Sequence, residues 1–342
     1  MRRRRAAARR PCRLLGNQGD DVTRPVLRVK DLRLSYPARG ASGVVHAVRG
    51  VDIQVAAGEV VALVGESGCG KSSLARAILQ LRRPDTGHVL LEGPDGTLPL
   101  HQLTGGALRR ARRWIQGVFQ DPYASLDPRM SIGDTVAEPL RAFGLASGTT
   151  SRERVAALLE RVGLGAALAT RFPHELSGGQ RQRVGIARAL ASEPRVVVLD
   201  EAVSALDVSL RAQVLNLLLD LRRDLDLAML FITHDLAVVR ALADRVAVMY
   251  LGELVEIATR DALLQTPRHP YTRALLDAVP VPDPVLQAAR VSRPLGGEPP
   301  SQERVPKGCA FASRCPVAEE RCASERPTMR TVGGSAVSCH LA

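Results

Sequence analysis

Gly65-Glu66-Ser67-Gly68-Cys69-Gly70-Lys71-Ser72 follows the pattern G-x-x-x-x-G-K-S/T and sits between an apolar run and a helical pattern. That spacing suits the holding of phosphate. Glycines let successive backbone N–H groups point inward at an anion, and the N-terminus of the following helix adds partial positive charge. Lys71 would reach the β- and γ-phosphates of a nucleotide, the Ser72 hydroxyl would bind Mg²⁺, and Ser73 counts with them among the nucleotide-binding residues. Cys69 reads as a space-filler with a modifiable thiol. A plain Gly-rich turn is the bland alternative, and the strand before and helix after it argue against that reading.

Leu199-Asp200-Glu201 supplies a complementary acid. An apolar strand would carry Asp200 to its carboxyl end, where it could hold Mg²⁺ through the ion's water shell. Glu201 could then take a proton from an attacking water, a role that contributes about 10²–10⁴-fold in rate. An acidic helix N-terminus remains the structural alternative for the pair. Ser177-Gly178-Gly179-Gln180 precedes a helix expected over 181–190 and forms a second anion cradle. Two cradles for one nucleotide suggest that each comes from a different subunit.

With these residues in view, the chain resembles the nucleotide-binding subunit of an ABC transporter. The resemblance covers roughly residues 26–258, with six motifs in order, and implies ATP and Mg²⁺ as ligands. It places Tyr36 against adenine, a position where a surface strand tyrosine is the plain alternative. It makes Gln120, in Val118-Phe119-Gln120-Asp121-Pro122, a contact to Mg²⁺, and has Ser204-Ala205-Leu206-Asp207 cross a dimer interface. His234, in Phe231-Ile232-Thr233-His234-Asp235, matches the family's switch histidine at the γ-phosphate. Ala202-Val203 departs from the Pro-Thr of many relatives, at positions that do no chemistry. The family scheme sandwiches two ATP between paired subunits, with Gly65–Ser72 of one facing Ser177–Gln180 of the other.

The elements needed to position these residues are legible. Short apolar runs at 60–64, 196–199 and 229–233 read as buried strands, alternating with helical patterns as in a mostly parallel α/β sheet. Leu74, Ile78 and Leu81 share one face of the helix after the phosphate loop. Apolar runs flanking Gly252-Glu253 predict a hairpin. The expected fold is α/β: a RecA-like P-loop NTPase core over 26–258, with an N-terminal antiparallel β part and an inserted helical subdomain at about 122–178. Val155, Leu158, Leu159 and Val162 form a helical stripe within that insert. Residues 259–342 read as a separate, Pro-rich and Cys-rich C-terminal region.

Composition narrows the class. The 342 residues carry a formal charge of +12, and half of it lies in a tail over 1–25 with eight Arg and two Asp. That tail lacks the apolar segment of a secretory signal. It reads as a disordered extension or a start codon assigned too early, with contact to anionic lipid or nucleic acid as the alternative. No run of 18 or more apolar residues occurs, so any membrane-spanning part would belong to other chains. Six cysteines without an export signal suggest a reducing compartment, and Cys12 in the tail carries no information.

Two narrower stretches, residues 121–129 and Pro267-Arg268-His269-Pro270-Tyr271-Thr272-Arg273-Ala274-Leu275-Leu276, resemble the ATPases of oligopeptide and dipeptide importers, a group that includes nickel-chelate systems. That resemblance implies two membrane permeases, a paralogous ATPase or a second copy of this chain, and an extracytoplasmic solute-binding protein. It also implies a location at the cytoplasmic face of the cell membrane. Residues 122–130 would face the permeases through a groove beside Gln120. Cys309-x5-Cys315-x6-Cys322-x16-Cys339 lies in a segment rich in turn formers, where a metal staple makes physical sense. The gaps exceed those of structural zinc. The same region holds a 4Fe-4S cluster in some peptide-importer ATPases, with zinc or no metal as alternatives, and His340 reads as a bystander. A soluble ATPase of this family acting on nucleic acid is the rival class. Neither a long coiled-coil insertion nor a second cassette is present, and no nucleic acid partner is expected. A non-hydrolysing regulatory binder is opposed by Glu201 and His234.

Overall fold

The computed structural model describes residues 25–38, 43–121, 125–279, 300–303 and 305–342. Residues 1–24 of the basic tail, with Cys12, and Pro122, Tyr123 and Ala124 of the first importer-like stretch lie outside them.

Two sheets organise the described residues. The smaller is antiparallel, in the order β2-β1-β4-β5, built from β1 (Pro25–Pro37), β2 (Val44–Ala56), β4 (Thr86–Gly93) and β5 (Gly96–Pro99). The larger has eight strands in the order β11-β12-β10-β9-β3-β8-β7-β6. Its parallel part joins β6 (Ile115–Val118), β7 (Val196–Asp200), β8 (Ala228–Ile232), β3 (Val60–Val64) and β9 (Arg245–Tyr250). All residues of β3, β7 and β8 are buried, which explains why they read as unbroken apolar runs rather than alternating ones. β10 (Glu253–Thr259) returns antiparallel to β9 through Leu251-Gly252, the hairpin the sequence predicts.

One face of this sheet packs on α3 (Ile132–Ala142), α4 (Gly148–Arg161), α5 (Gly178–Leu190) and α6 (Val208–Leu225). The other packs on α1 (Lys71–Ile78) and the small sheet. Within α4, Val155 and Leu159 are buried, with Val162 just past its end. Leu81 departs from expectation, because it is 55% exposed and lies beyond α1. The helix stops in a left-handed turn at Gln80 (φ 56°), with Gln80 N–H donating to the Ala77 carbonyl at 3.1 Å and Leu81 N–H to that of Arg76 at 2.9 Å. These paired bonds satisfy the last carbonyls and swing Leu81 away from the core.

The region after 259 does not stand apart. α8 (Arg260–Gln265) and α9 (Pro270–Asp277) follow β10, and beyond α10 (Glu320–Ser324) a hairpin of β11 (Arg330–Val332) and β12 (Ser335–Val337) pairs antiparallel with β10. The C-terminal residues thus extend the main sheet. They also share an aromatic core with it. Tyr250, Tyr271 and Phe311 are fully buried with ring centroids 4.7–5.4 Å apart.

His269 sits beneath this cluster, 1% exposed, and its Nδ1 accepts the Tyr271 N–H at 3.0 Å to cap α9. Burial lowers its pKa from 6.5 to about 4. The folded imidazole is therefore neutral, while the unfolded chain takes up a proton there below about pH 6.5. This contribution to stability is complete above about pH 6.5 and is lost as the pH falls toward about 4. Urea midpoints measured across that window should fall with acidification. His269→Asn, which keeps a capping acceptor, should flatten the dependence, and an equally steep loss in that variant would show that other groups cause it.

Candidate functional site

Parallel register decides which loops meet. Leu63 aligns with Ile232, Asp200 with Ile232, Leu199 with Val118, and Val64 with Val248. The carboxyl ends of β3, β7, β8 and β6 therefore deliver Gly65, Glu201, His234 and Gln120 to one edge. This is where ligands bind in open α/β sheets.

The loop after β3 is held tightly enough that two of its glycines are obligatory. A Cβ on Gly65 would lie 2.2 Å from the Met249 carbonyl oxygen, and one on Gly70 (φ 109°) 2.1 Å from that of Ala47. Gly252 N–H donates to the Cys69 carbonyl at 2.8 Å, tying the loop to the β9–β10 turn. Lys71 is 5% exposed, and its Nζ donates to the Gly65 and Glu66 carbonyls at 2.8 Å each. These two acceptors hold the ammonium inside the loop, where phosphate oxygens could replace them. Burial raises the Cys69 thiol above its usual value, so it is a neutral filler rather than a nucleophile.

Ser72 and Asp200, which lie 128 residues apart in sequence, are joined directly: Ser72 Oγ donates to Asp200 Oδ1 at 3.0 Å. Asp200 is 7% exposed, and burial raises its pKa, with Ser72 acting against the shift and the nearby Glu201 charge adding to it. A buried carboxylate with no cationic side chain at contact distance among the described residues, beside a hydroxyl, suits a hard divalent cation such as Mg²⁺. Glu201 adopts a left-handed backbone (φ 49°), and its N–H donates to the Ile232 carbonyl at 3.0 Å. Its Oε1 lies 3.4 Å from His234 Nδ1. The His234 ring is otherwise largely exposed, and the segment bearing it is anchored by Asp235. That carboxylate accepts the Ala237 N–H at 2.8 Å and pairs with Arg211 of α6 at 2.5 Å.

Other expected site residues lie elsewhere. Ser177 is the N-cap of α5, so Gly178 and Gly179 fall inside the first helical turn rather than before it. Ser177 and Gln180 satisfy each other as a capping box, at 3.3 and 2.9 Å, and none of their bonds reaches Gly65–Ser73 among the described residues. Asp207 caps α6, and the Leu210 N–H with the Ser209 hydroxyl lowers its pKa. Tyr36 is half-buried on β1, with the Arg82 guanidinium 5.5 Å from its ring centroid. Gln120 is exposed just past β6. Ala202 and Val203 are both 2% exposed and serve packing.

The loop's outer side has partners that its motif does not announce. Glu66 N–H donates to the Tyr271 hydroxyl at 2.9 Å, and the Glu66 carboxylate takes two bonds from Arg314, at 2.9 and 3.1 Å. Gln302 Nε2 donates to the Gly68 carbonyl at 2.5 Å. Tyr271 lies in a stretch whose likeness to importers is visible in sequence, but that stretch says nothing of what the hydroxyl touches.

Cys309, Cys315, Cys322 and Cys339 are all free thiols in one C-terminal lobe. Cys309 is pushed up to about 11 by burial, with the neighbouring Cys322, Cys339 and Cys315 adding to the shift. Cys309 N–H donates to the Cys322 carbonyl at 2.8 Å. Among the described residues no group of three or more His, Cys, Asp or Glu side chains is placed to hold a metal ion. The expected 4Fe-4S or zinc centre therefore finds no support in the described side-chain arrangement.

A model of the ABC transporter family matches residues 48–204, and a model of the oligopeptide/dipeptide transporter C-terminal region matches residues 255–322. The chain is 47% identical over 322 residues to the oligopeptide transport ATP-binding protein OppF of Escherichia coli, covering 92% of this chain and 95% of that one. It is 50% identical over 294 residues to OppF of Salmonella typhimurium, covering 86% and 87%. Among solved structures it resembles the ATP-binding cassette MJ0796, a dimer in a post-hydrolysis state bound to ADP and Pi. There the TM-score is 0.60 and identity 29%, covering 68% of this chain and 98% of that one.

Gly70→Ala should lower ATP affinity by about tenfold or more, since a Cβ must displace backbone and adopt a left-handed conformation costing about 1–3 kcal/mol. Titration with a fluorescent ATP analogue measures the loss. Affinity equal to that of the unsubstituted chain would mean that the close approach of Ala47 does not constrain the loop.

Proposed function

This chain belongs to the ABC transporter family, and from that premise we propose that it is the ATP-hydrolysing subunit of a peptide importer. One observation carries the ATPase part: Lys71, Ser72, Asp200, Glu201 and His234 converge at one sheet edge, with Ser72 bonded to Asp200 and His234 beside Glu201. Peptide as the cargo is supported by the match of the C-terminal region and by the names of the relatives.

In this reading Gly65–Ser73 cradle the phosphates and Lys71 exchanges its loop carbonyls for phosphate oxygens. Ser72, Asp200 and Gln120 hold Mg²⁺, which would supply charge neutralisation at the β- and γ-phosphates. Glu201 takes a proton from water as its oxygen bonds to the γ-phosphorus and the bond to the β-phosphate oxygen breaks. His234, beside Glu201, orients that carboxylate and contacts the γ-phosphate. Tyr36 stacks on the adenine. Ser177, Gly178, Gly179 and Gln180, with Asp207, act on the nucleotide held by the partner subunit, which is a paralogue or a second copy.

Binding and hydrolysis then close and open the pair, driving rigid-body motion of two membrane permeases. No helix among the described residues is long and apolar enough to cross a membrane, so a peripheral place at the cytoplasmic face fits this role. A groove of about 340 Å³ beside Phe119, lined also by Leu79, Leu81, Pro139 and Phe143, is a suitable seat for a permease segment. An extracytoplasmic solute-binding protein would deliver the peptide.

Glu201→Gln should keep ATP affinity, slow turnover by about 10²-fold or more, and accumulate a closed ATP-bound dimer visible by size exclusion. Normal turnover would remove Glu201 from its role. Transport of a labelled peptide by the assembled complex, compared with a nickel chelate, tests the cargo.

A metal centre on Cys309, Cys315, Cys322 and Cys339 is a separable part of this proposal. Anaerobic purification should give a coloured protein with bound iron that Cys315→Ser together with Cys322→Ser abolishes. Zinc, or no metal at all, would overturn the iron–sulfur assignment.

A further inference from the structure

We propose that Arg314, Tyr271 and Gln302 are positioning residues for the phosphate loop: the C-terminal lobe clamps the loop from outside, and ATP affinity depends on that clamp. The inference rests on the reading of Gly65–Ser72 as the ATP site.

A phosphate cradle works only when its amides already point inward, because ordering a glycine-rich segment at the moment of binding consumes binding energy. The inner side of the loop faces the ligand, where the Lys71 bonds would give way to phosphate, so supports on the outer side are the ones that persist on binding. Three polar groups there are taken by residues 205 to 248 positions downstream. The Glu66 N–H goes to Tyr271, the Gly68 carbonyl to Gln302, and the Glu66 carboxylate to Arg314.

Arg314 is itself well placed to act as a fixed support. Its side chain is 6% exposed and its Nη1 lies 3.3 Å from the Tyr250 hydroxyl, with the guanidinium 5.9 Å from the Tyr250 ring centroid. Tyr250 ends β9, the strand beside β3, and packs on Tyr271 and Phe311. The clamp is thus built on the same sheet that carries the loop. Gln302 adds a second tie, since its carbonyl accepts the His46 N–H at 3.2 Å from β2.

Charge gives the clamp a second consequence. Glu66 is the only carboxylate within the loop itself, one residue after Gly65, where a polyphosphate arrives. With Arg314 bound, that negative charge is neutralised by a two-pronged ion pair. Without Arg314 the carboxylate is left half-buried and repels the incoming phosphates.

The test uses the full chain for ATP binding and the assembled transporter for turnover. Arg314→Ala should weaken ATP binding about tenfold, seen as a raised KM with kcat at saturating ATP near normal. Arg314→Lys should recover part of the loss. Glu66→Ala in the Arg314→Ala background should also recover part of it, because the unpaired charge is removed. A merely structural role for Arg314 predicts instead that the two losses add. Tyr271→Phe deletes only a hydroxyl and keeps the packing, and should weaken binding by about threefold. If Arg314→Ala does not fold, Tyr271→Phe alone decides the matter. Unchanged affinity in a folded Arg314→Ala or in Tyr271→Phe, or additive losses in the double variant, would overturn the proposal. Failure of the unsubstituted chain to bind ATP would instead refute the ATP site.

Discussion

The pairing of β3 between β8 and β9 is the constraint from which the site follows. A five-residue strand buried on both faces must pass its backbone hydrogen bonds to neighbours on each side. Once the register is set, the chain leaving Val64 has no freedom about where it turns. The Met249 and Ala47 carbonyls leave room only for glycine at Gly65 and Gly70, and the same closeness ties Cys69 to Gly252. β8 simultaneously sets Asp200 and Glu201 through β7. The Ser72–Asp200 bond is therefore a consequence of strand register, and so is the meeting of Glu201 with His234.

Two costs are accepted at this edge. Asp200 keeps a carboxyl in a buried place where its ionised form is disfavoured, and Glu201 holds a left-handed backbone that costs about 1–2 kcal/mol for a residue with a side chain. Each arrangement carries a cost alongside the hydrogen bond it makes. Both make sense if the neighbourhood is completed by a cation and a polyphosphate, which turn the buried charge into a favourable one.

Much of this was legible in the sequence because local signals and global placement agree. The unbroken apolar runs of β3, β7 and β8, the glycine spacing of the loop and the Gly252 hairpin are all short-range patterns with a direct structural reading. Leu81 misleads because a helical stripe cannot show that Gln80, rather than a glycine, takes the left-handed stop. Gly178 and Gly179 look like a loop and enter a helix, since Ser177 and Gln180 cap each other. The C-terminal region resembles an appendix because its strands are only three residues long and β10, which β12 joins, is about eighty residues away in sequence. Contacts such as Arg314 with Glu66 leave no periodic trace at all. They depend on the aromatic cluster that seats the lobe.

The order in which a ribosome delivers these residues gives the outer clamp a temporal meaning. The partners of Glu66 lie 205 and 248 residues downstream of it. At about 5–20 residues per second, the loop emerges roughly ten to fifty seconds before Arg314 does. During that interval the sheet edge can assemble while the loop's outer polar groups are met only by water. If the clamp governs nucleotide affinity as proposed, a fragment stalled before residue 314 would compete poorly for nucleotide with a chain that has passed it.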